Sequence, residues 1–153
     1  MCFTITKMDK GDGMGKINLG RVLLAGIVAG IVSDALGYFV DGVILAQRWA
    51  DGMMALGRPE FTLAQIIQFN ALGLIGGIVL IWLYAAIRPR FGAGVGTAVI
   101  AGVAFWVIGY LLPNLGFMWI PGLFSKHLTA FTTAGNLVES VIGAVAGAAL
   151  YKE

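Results

Sequence analysis

Residues 63–87 read LAQIIQFNALGLIGGIVLIWLYAAI, a run of 25 residues without a single charged side chain. A helix of that length is about 38 Å long, because each residue adds about 1.5 Å. The hydrocarbon core of a bilayer is about 30 Å thick, so one helix of this kind crosses it. The run therefore predicts a transmembrane helix.

Three further apolar runs lie on either side of it, at residues 17–45, 94–112 and 129–151. Each is long enough to cross a bilayer, and the first, at about 43 Å, predicts a helix that tilts or protrudes. The expected fold class is all-α, an integral membrane bundle of four transmembrane helices. We expect a single domain at residues 17–153, preceded by a flexible cytoplasmic tail at residues 1–16.

The composition supports a membrane protein. Of the 153 residues, 59% are hydrophobic and 12% are charged, about half of the usual charged share of about 25%. So little charge excludes a soluble enzyme, a disordered chain and a nucleic-acid-binding module. One cysteine and one histidine exclude a disulfide framework and paired-histidine metal motifs. With no catalytic constellation in view, we predict a protein that is not an enzyme and has no cofactor, no metal and no nucleic-acid partner.

The basic residues predict the orientation. Seven of the ten flank the side that holds both termini, and three flank the other side: Lys7, Lys10, Lys16, Arg21, Arg88, Arg90 and Lys152 against Arg48, Arg58 and Lys126. Loops rich in lysine and arginine stay on the cytoplasmic side, so we expect both termini in the cytoplasm. Met14 is an alternative start of the chain.

Shorter signals predict the segments between the spans. Trp49, Met53 and Leu56 recur at the spacing of one helix face and predict a short amphipathic helix on the outer surface. Thr62 and Gln65 have the spacing of a capping box at the start of the second span.

Two prolines and an apolar loop complete the boundary predictions. We expect the Arg-Pro-Arg-Phe-Gly run at 88–92 to end the second span and Pro113 to end the third. The apolar loop at 116–124 is expected to lie in the outer interface, or to cover a cavity as a lid.

Each predicted span has one face of small or polar residues, and three spans carry glycines spaced by four. Lipid tails are as apolar as leucine, so membrane helices associate by close backbone approach and hydrogen bonds. The glycines predicted to pack helices together are Gly26, Gly30, Gly37, Gly73, Gly77, Gly102, Gly109, Gly143 and Gly147.

Two acids fall near the middle of predicted spans, Asp34 in the first and Glu139 in the fourth. An acid at a helix centre costs about 2.5–3.5 kcal/mol on insertion scales, so both should share an internal, hydrated or hydrogen-bonded location. No lysine or arginine lies deep enough to pair with them. The candidate intramembrane polar site comprises Asp34, Asp41, Asn70, Asn136 and Glu139. It is either a proton- or cation-linked site or a set of interhelical hydrogen bonds that fix packing.

The order of features resembles small bacterial four-helix membrane proteins of a domain-of-unknown-function family. The resemblance is carried by the Gly/Ala-rich stretch at 24–37, the tryptophan-containing segment at 49–57 and the Ala-Gly-Asn-Leu-Val-Glu run at 134–139. It covers most of the chain after Met14. It implies a multi-pass protein of the bacterial inner membrane and no particular activity.

Two functional hypotheses follow. The first is a non-enzymatic membrane protein, a self-associating bundle or an accessory subunit of a larger complex, whose partners are the lipid bilayer and further copies or other membrane subunits. The second is a small proton- or cation-coupled transporter or channel that uses Asp34 and Glu139. A cavity joining the two acids favours transport, whereas carboxyls bonded to neighbouring helices favour packing.

Overall fold

The computed structural model describes residues 17–152, and within them it is an all-α bundle, as predicted. Four helical stretches are long and apolar enough to cross a bilayer: Leu19–Ile44, Leu63–Phe91, Val95–Met118 and Lys126–Leu150. The chain is a multi-pass membrane protein. The predicted tail at 1–16, with the alternative start, lies outside the described residues, and the orientation in the membrane stays a prediction.

The first span comprises helix α1 (Leu19–Phe39) and a π-helical turn at Val40–Ile44. Asn18 caps α1, since its side-chain oxygen accepts a hydrogen bond from the backbone N–H of Arg21 at 3.1 Å. The short helix α2 (Ala46–Ala55) follows directly and confirms the helix predicted from the Trp-Met-Leu spacing.

The second span is helix α3 (Leu63–Phe91), and its predicted capping box is confirmed: Thr62 and Gln65 each accept a hydrogen bond from the other's backbone N–H. The predicted end within the run at 88–92 is confirmed, because α3 ends at Phe91, although the helix continues through Pro89 beyond the predicted span at 63–87. The residue that follows is Gly92, whose φ of +85° favours glycine.

The third span is longer than predicted. Helix α4 (Val95–Trp106), a second π-helical turn (Val107–Leu111) and helix α5 (Leu112–Met118) follow one another without a break. The prediction that Pro113 ends the span was wrong, because α5 continues past Pro113 to Met118, directly after the second π-helical turn. The apolar loop therefore starts later than expected.

The fourth span is helix α6 (Lys126–Leu150). It begins at Ser125, whose hydroxyl oxygen accepts a hydrogen bond from the backbone N–H of Leu128 at 3.1 Å. Helix α1 packs against α3 and α6, and α4 packs against α6 and α3.

Most predicted glycines lie where two helices cross. A Cβ on Gly77 would overlap the backbone of Gly26 and Gly30, and a Cβ on Gly102 would come within 2.9 Å of the backbone of Ser140. The crossing of α1 with α6 is made by Gly143 and Gly147, which face the backbone carbonyls of Ala29 and Ala25. Gly109 is the exception: it is exposed, and its nearest neighbour is a ring of its own span 3.9 Å away.

The two ends of the bundle differ. We call the end with residues 17–18, residues 151–152 and the turn at 92–94 the terminal end, and the end with α2 and residues 119–125 the loop end. At the terminal end, the Tyr151 hydroxyl accepts a hydrogen bond from the backbone N–H of Asn18, and the Tyr84 hydroxyl accepts one from Gly94. The buried apolar core, including Ala29, Leu80 and Ile81, lies on the terminal-end side of the intramembrane acids. The acids Asp34, Asp41 and Glu139 lie on the loop-end side of that core.

Candidate functional site

Glu139 is the most enclosed acid of the structure's described residues. Its side chain is 7% exposed, and its Oε2 accepts a hydrogen bond from Nδ2 of Asn136, on the same helix, at 3.2 Å. Its Oε1 is completely enclosed and has no hydrogen-bond partner within residues 17–152. A buried oxygen without a partner costs about 1–3 kcal/mol, and more when it is charged. The structure therefore holds a carboxyl group with one unused oxygen inside the bundle.

Two glycines form the space for this carboxyl group. A Cβ on Gly37 of α1 would lie 3.3 Å from Oε2, and a Cβ on Gly135 of α6 would lie 3.6 Å from Oε1. Ser33 of α1 donates a hydrogen bond from its hydroxyl to the backbone carbonyl of Glu139 at 3.2 Å. Helices α1 and α6 therefore approach closely around Glu139.

Asp34 lies one turn before Gly37 on α1 and faces α3. Its Oδ1 occupies the space that a Cβ on Gly73 would fill. The side chain is half-buried, and it has no hydrogen-bond partner among residues 17–152. In that same part of the chain, no lysine or arginine forms an ion pair with Asp34 or Glu139.

Asp41 connects three elements at the loop end. Its Oδ1 accepts hydrogen bonds from the indole N–H of Trp49 on α2, at 3.1 Å, and from the Thr132 hydroxyl on α6, at 3.3 Å. Asp41 itself lies in the first π-helical turn. It is seven residues from Asp34, about 10 Å along the helix axis.

Tyr110 brings the third span to the same region. It lies in the second π-helical turn, is half-buried, and interacts electrostatically with Asp34, Asp41 and Glu139. Short π-helical turns inside α-helices are frequent at functional sites. The two π-helical turns of the described chain therefore carry Asp41 and Tyr110.

Four of the five predicted site residues lie together: Asp34, Asp41, Asn136 and Glu139. Asn70 does not join them, because it is exposed and its Nδ2 donates a hydrogen bond to the carbonyl of Ile66 in its own helix at 2.7 Å. Asn70 is on the helix face of Gly73, as predicted, but no helix covers that face one turn nearer the loop end.

Sequence reasoning did not include Trp49 or Tyr110 in the site. The position of Trp49, eight residues or about two helical turns after Asp41, could have indicated that its indole N–H lies near the Asp41 carboxyl group. Tyr110 had no such signal, since its place depends on a π-helical turn that no residue pattern here indicates.

A second polar network binds α6 to the third span. The Trp106 indole N–H donates to the carbonyl of Thr133 at 2.7 Å, and Asn114 donates to the Thr133 hydroxyl oxygen at 2.8 Å. That hydroxyl donates in turn to the carbonyl of Thr129 at 2.6 Å. The groups in this network are paired with one another, so it acts as a structural tie. Beside it lies an apolar cavity of about 360 Å³.

Comparison with known proteins identifies no relative, so a function can be proposed only from the site itself. No protein-family model matches the chain, and neither a curated protein nor a solved structure is detectably similar to it. The resemblance to the domain-of-unknown-function family stays a prediction. Among the described residues, no group of three or more acid, histidine or cysteine side chains is arranged to hold a metal ion.

Proposed function

We propose that this protein is a small membrane transporter or channel that binds and releases a proton or a small monovalent cation at Glu139. The observation that carries the proposal is the enclosed Oε1 of Glu139, which has no hydrogen-bond partner within the described chain. An ionisable group inside a membrane bundle is costly and is retained mainly where it serves a function.

The arrangement of the acids supports transport over packing. Acids that serve only to join helices are expected to bond side chains of a neighbouring helix. The Glu139 carboxyl group instead bonds Asn136 of its own helix, and the Asp34 carboxyl group bonds no described residue. Asp41 is the one acid of the three whose carboxyl group bonds neighbouring elements.

The difference between the two ends of the bundle also supports the proposal. The path from Glu139 to the terminal end is filled by the close crossing of Gly143 with α1 and by the apolar core around Ile81. Transporters bind their coupling ions near the middle of the membrane and expose them to one side at a time. A site that is closed toward one end fits that requirement.

Proton flux into proteoliposomes tests this function. Purified protein is reconstituted, a pH gradient and a membrane potential are imposed, and internal pH is followed with a trapped dye, in sodium and in choline buffer. We expect flux above that of empty liposomes, lost in Glu139→Gln and strongly reduced in Asp34→Asn. Asp51→Asn is the matched control, because Asp51 is exposed on α2 and bonds only Gln47. Wild-type flux equal to that of empty liposomes, in both buffers, would refute the function.

Self-association, or assembly with other membrane subunits, is a second proposal. The glycine faces do not support self-association, because most of these glycines lie in contacts between helices of the same bundle. A different observation favours it: Gln68 is an exposed amide within the second span. Such amides hydrogen-bond across helices in membranes. If this surface joins copies or other subunits, Gln68→Leu should lower the assembled mass measured by light scattering in mild detergent. An assembled mass that Gln68→Leu leaves unchanged would argue against this surface.

A further inference from the structure

We propose that the ligand of this site is a proton and that it reaches Glu139 from the loop end of the bundle through the carboxyl group of Asp41. The inference rests on the proposed function, because it names the ligand and the route for the same site.

The space around Glu139 fits a proton. A metal cation in a protein is held by several oxygens, whereas a proton needs only one lone pair. Oε1 of Glu139 is fully enclosed, and a Cβ on Gly37 would lie only 3.3 Å from Oε2 of the same carboxyl group. A proton binds at this oxygen without any further ligand and without enlarging the space.

Two rows of residues connect this carboxyl group to the loop end. On α6, Thr132, Asn136 and Glu139 follow at spacings of four and three residues and so share one helix face. On the first span, which runs antiparallel to α6, Asp41 lies beside Thr132, and Gly37 lies beside Glu139. The two rows face each other over about 10 Å, from the loop end to the middle of the span.

The two carboxyl oxygens of Asp41 differ in their hydrogen bonding. Oδ1 is held by the Trp49 indole and the Thr132 hydroxyl. Oδ2 has no hydrogen-bond partner in the described chain and is not enclosed. One oxygen therefore positions the carboxyl group, and the other is open to accept a proton.

The residues around Asp41 leave its Oδ2 available to bind a proton. Glu139 of α6 and Tyr110 of the second π-helical turn interact electrostatically with Asp41. Helix α2 contributes the neutral Trp49, and its nearby cation, Arg48, lies over the ring of Phe131 at 4.8 Å. No ion pair of the described residues holds Asp41 in its charged form.

The proposed transfer takes place in two steps. Oδ2 of Asp41 accepts a proton from water at the loop end. Because Oε1 of Glu139 is enclosed, the two rows must part to admit the water that carries the proton across the intervening turns. The O–H bond on Asp41 then breaks, and an O–H bond forms on Oε1 of Glu139. No electron pair is lost or gained by the protein, and Asp41 returns to its starting form.

The test measures internal pH relaxation in proteoliposomes of wild type, Asp41→Asn, Trp49→Phe and Asp51→Asn, each first checked for folding by its elution volume in detergent. Positioned proton-transfer groups contribute about 100-fold or more to rate, so we expect Asp41→Asn to slow relaxation by at least about tenfold. Trp49→Phe removes the hydrogen bond that positions Asp41 but keeps the carboxyl group, so it should slow relaxation less than Asp41→Asn does, whereas Asp51→Asn should stay within about twofold of wild type. If Asp41→Asn does not fold, Asp41→Ser, which keeps an acceptor for the Trp49 indole, is used in its place.

The outcomes separate the two proposals. No wild-type flux above that of empty liposomes refutes the proposed function itself. Flux that depends on sodium and not on the pH gradient overturns the choice of a proton. Wild-type flux with equal flux in the Asp41 variant overturns the route, and so does a Trp49→Phe variant that slows as much as Asp41→Asn, because the effect is then structural.

Discussion

The carboxylate of Asp34 fills the space that a Cβ on Gly73 would occupy. A second pair repeats the arrangement at the other contact of α1: the carboxyl group of Glu139 on α6 lies against Gly37. In both pairs the acid of one helix is accommodated by a glycine of the helix it faces. Each acid thus lies opposite a residue without a side chain. A larger residue at either glycine would crowd the carboxyl group that faces it.

Gly73→Ala should destabilise the protein by about 1–3 kcal/mol, because the new methyl group would overlap the Asp34 carboxylate and force it out of place. Unfolding by increasing SDS in mixed micelles, followed by tryptophan fluorescence, measures this. Gly96→Ala is the control: no atom lies within 4 Å of a Cβ there, so helix propensity should raise stability by about 0.5–1 kcal/mol. Adding Asp34→Ala to Gly73→Ala should recover part of the loss. Equal effects of both glycine substitutions would contradict the pairing.

Gly77→Ala should be more damaging than Gly76→Ala, although the two are neighbours. A Cβ on Gly77 would overlap the backbone of Gly26 and Gly30, which cannot rotate away, whereas a Cβ on Gly76 would touch only the end of the Phe105 ring at 3.4 Å. We expect a loss at or above the upper end of about 1–3 kcal/mol for Gly77→Ala and little change for Gly76→Ala. The same SDS unfolding assay compares them, and the reverse order would show that α1 and α3 do not cross here.

Tyr151→Phe should lower stability by about 1 kcal/mol, because it removes the hydroxyl that accepts a hydrogen bond from the backbone N–H of Asn18. The aromatic contact with Tyr84, at 6.0 Å between ring centroids, remains in the variant. Tyr38→Phe serves as the control, since Tyr38 is exposed. Thermal unfolding of both variants in detergent is the measurement, and an unchanged midpoint for Tyr151→Phe would show that this hydrogen bond does not stabilise the terminal end.

Asn136→Ala should destabilise by about 1–3 kcal/mol, because it leaves both oxygens of the Glu139 carboxyl group without a hydrogen bond from the described chain. In a Glu139→Leu background the same substitution should cost less, with a coupling energy of about 0.5–3 kcal/mol in the double-mutant cycle. Asn70→Ala is the matched control. It should change stability little, because Asn70 is exposed and bonds only its own helix. A coupling energy of zero would contradict the pairing of Asn136 with Glu139.

Helix phase explains why so much of the site could be predicted. The sequence places Asp34, Gly37 and Asp41 on one face of the first span, and the structure confirms that this face meets the rest of the bundle. The phase of a residue predicts the face of the helix on which it lies, but it does not predict how far that face is from a neighbouring helix. For that reason the predicted site includes Asn70, although in the described chain Asn70 is exposed and no other helix packs over it.

Other features depend on contacts that a local pattern does not contain. The hydrogen bond between Thr132 and Asp41 joins residues 91 positions apart. Pro113 is predicted to end the third span, but α5 continues past it directly after a π-helical turn. The π-helical turns that carry Asp41 and Tyr110 each add one residue to a turn, and no side-chain pattern here marks them.

Infrared difference spectroscopy of the protein in lipid, between acidic and alkaline buffer, tests the central claim that Glu139 takes up and releases a proton. We expect a carboxylic-acid carbonyl band that disappears as the buffer becomes alkaline and that is missing in Glu139→Gln. A wild-type spectrum without such a band, or one that Glu139→Gln reproduces, would contradict the claim.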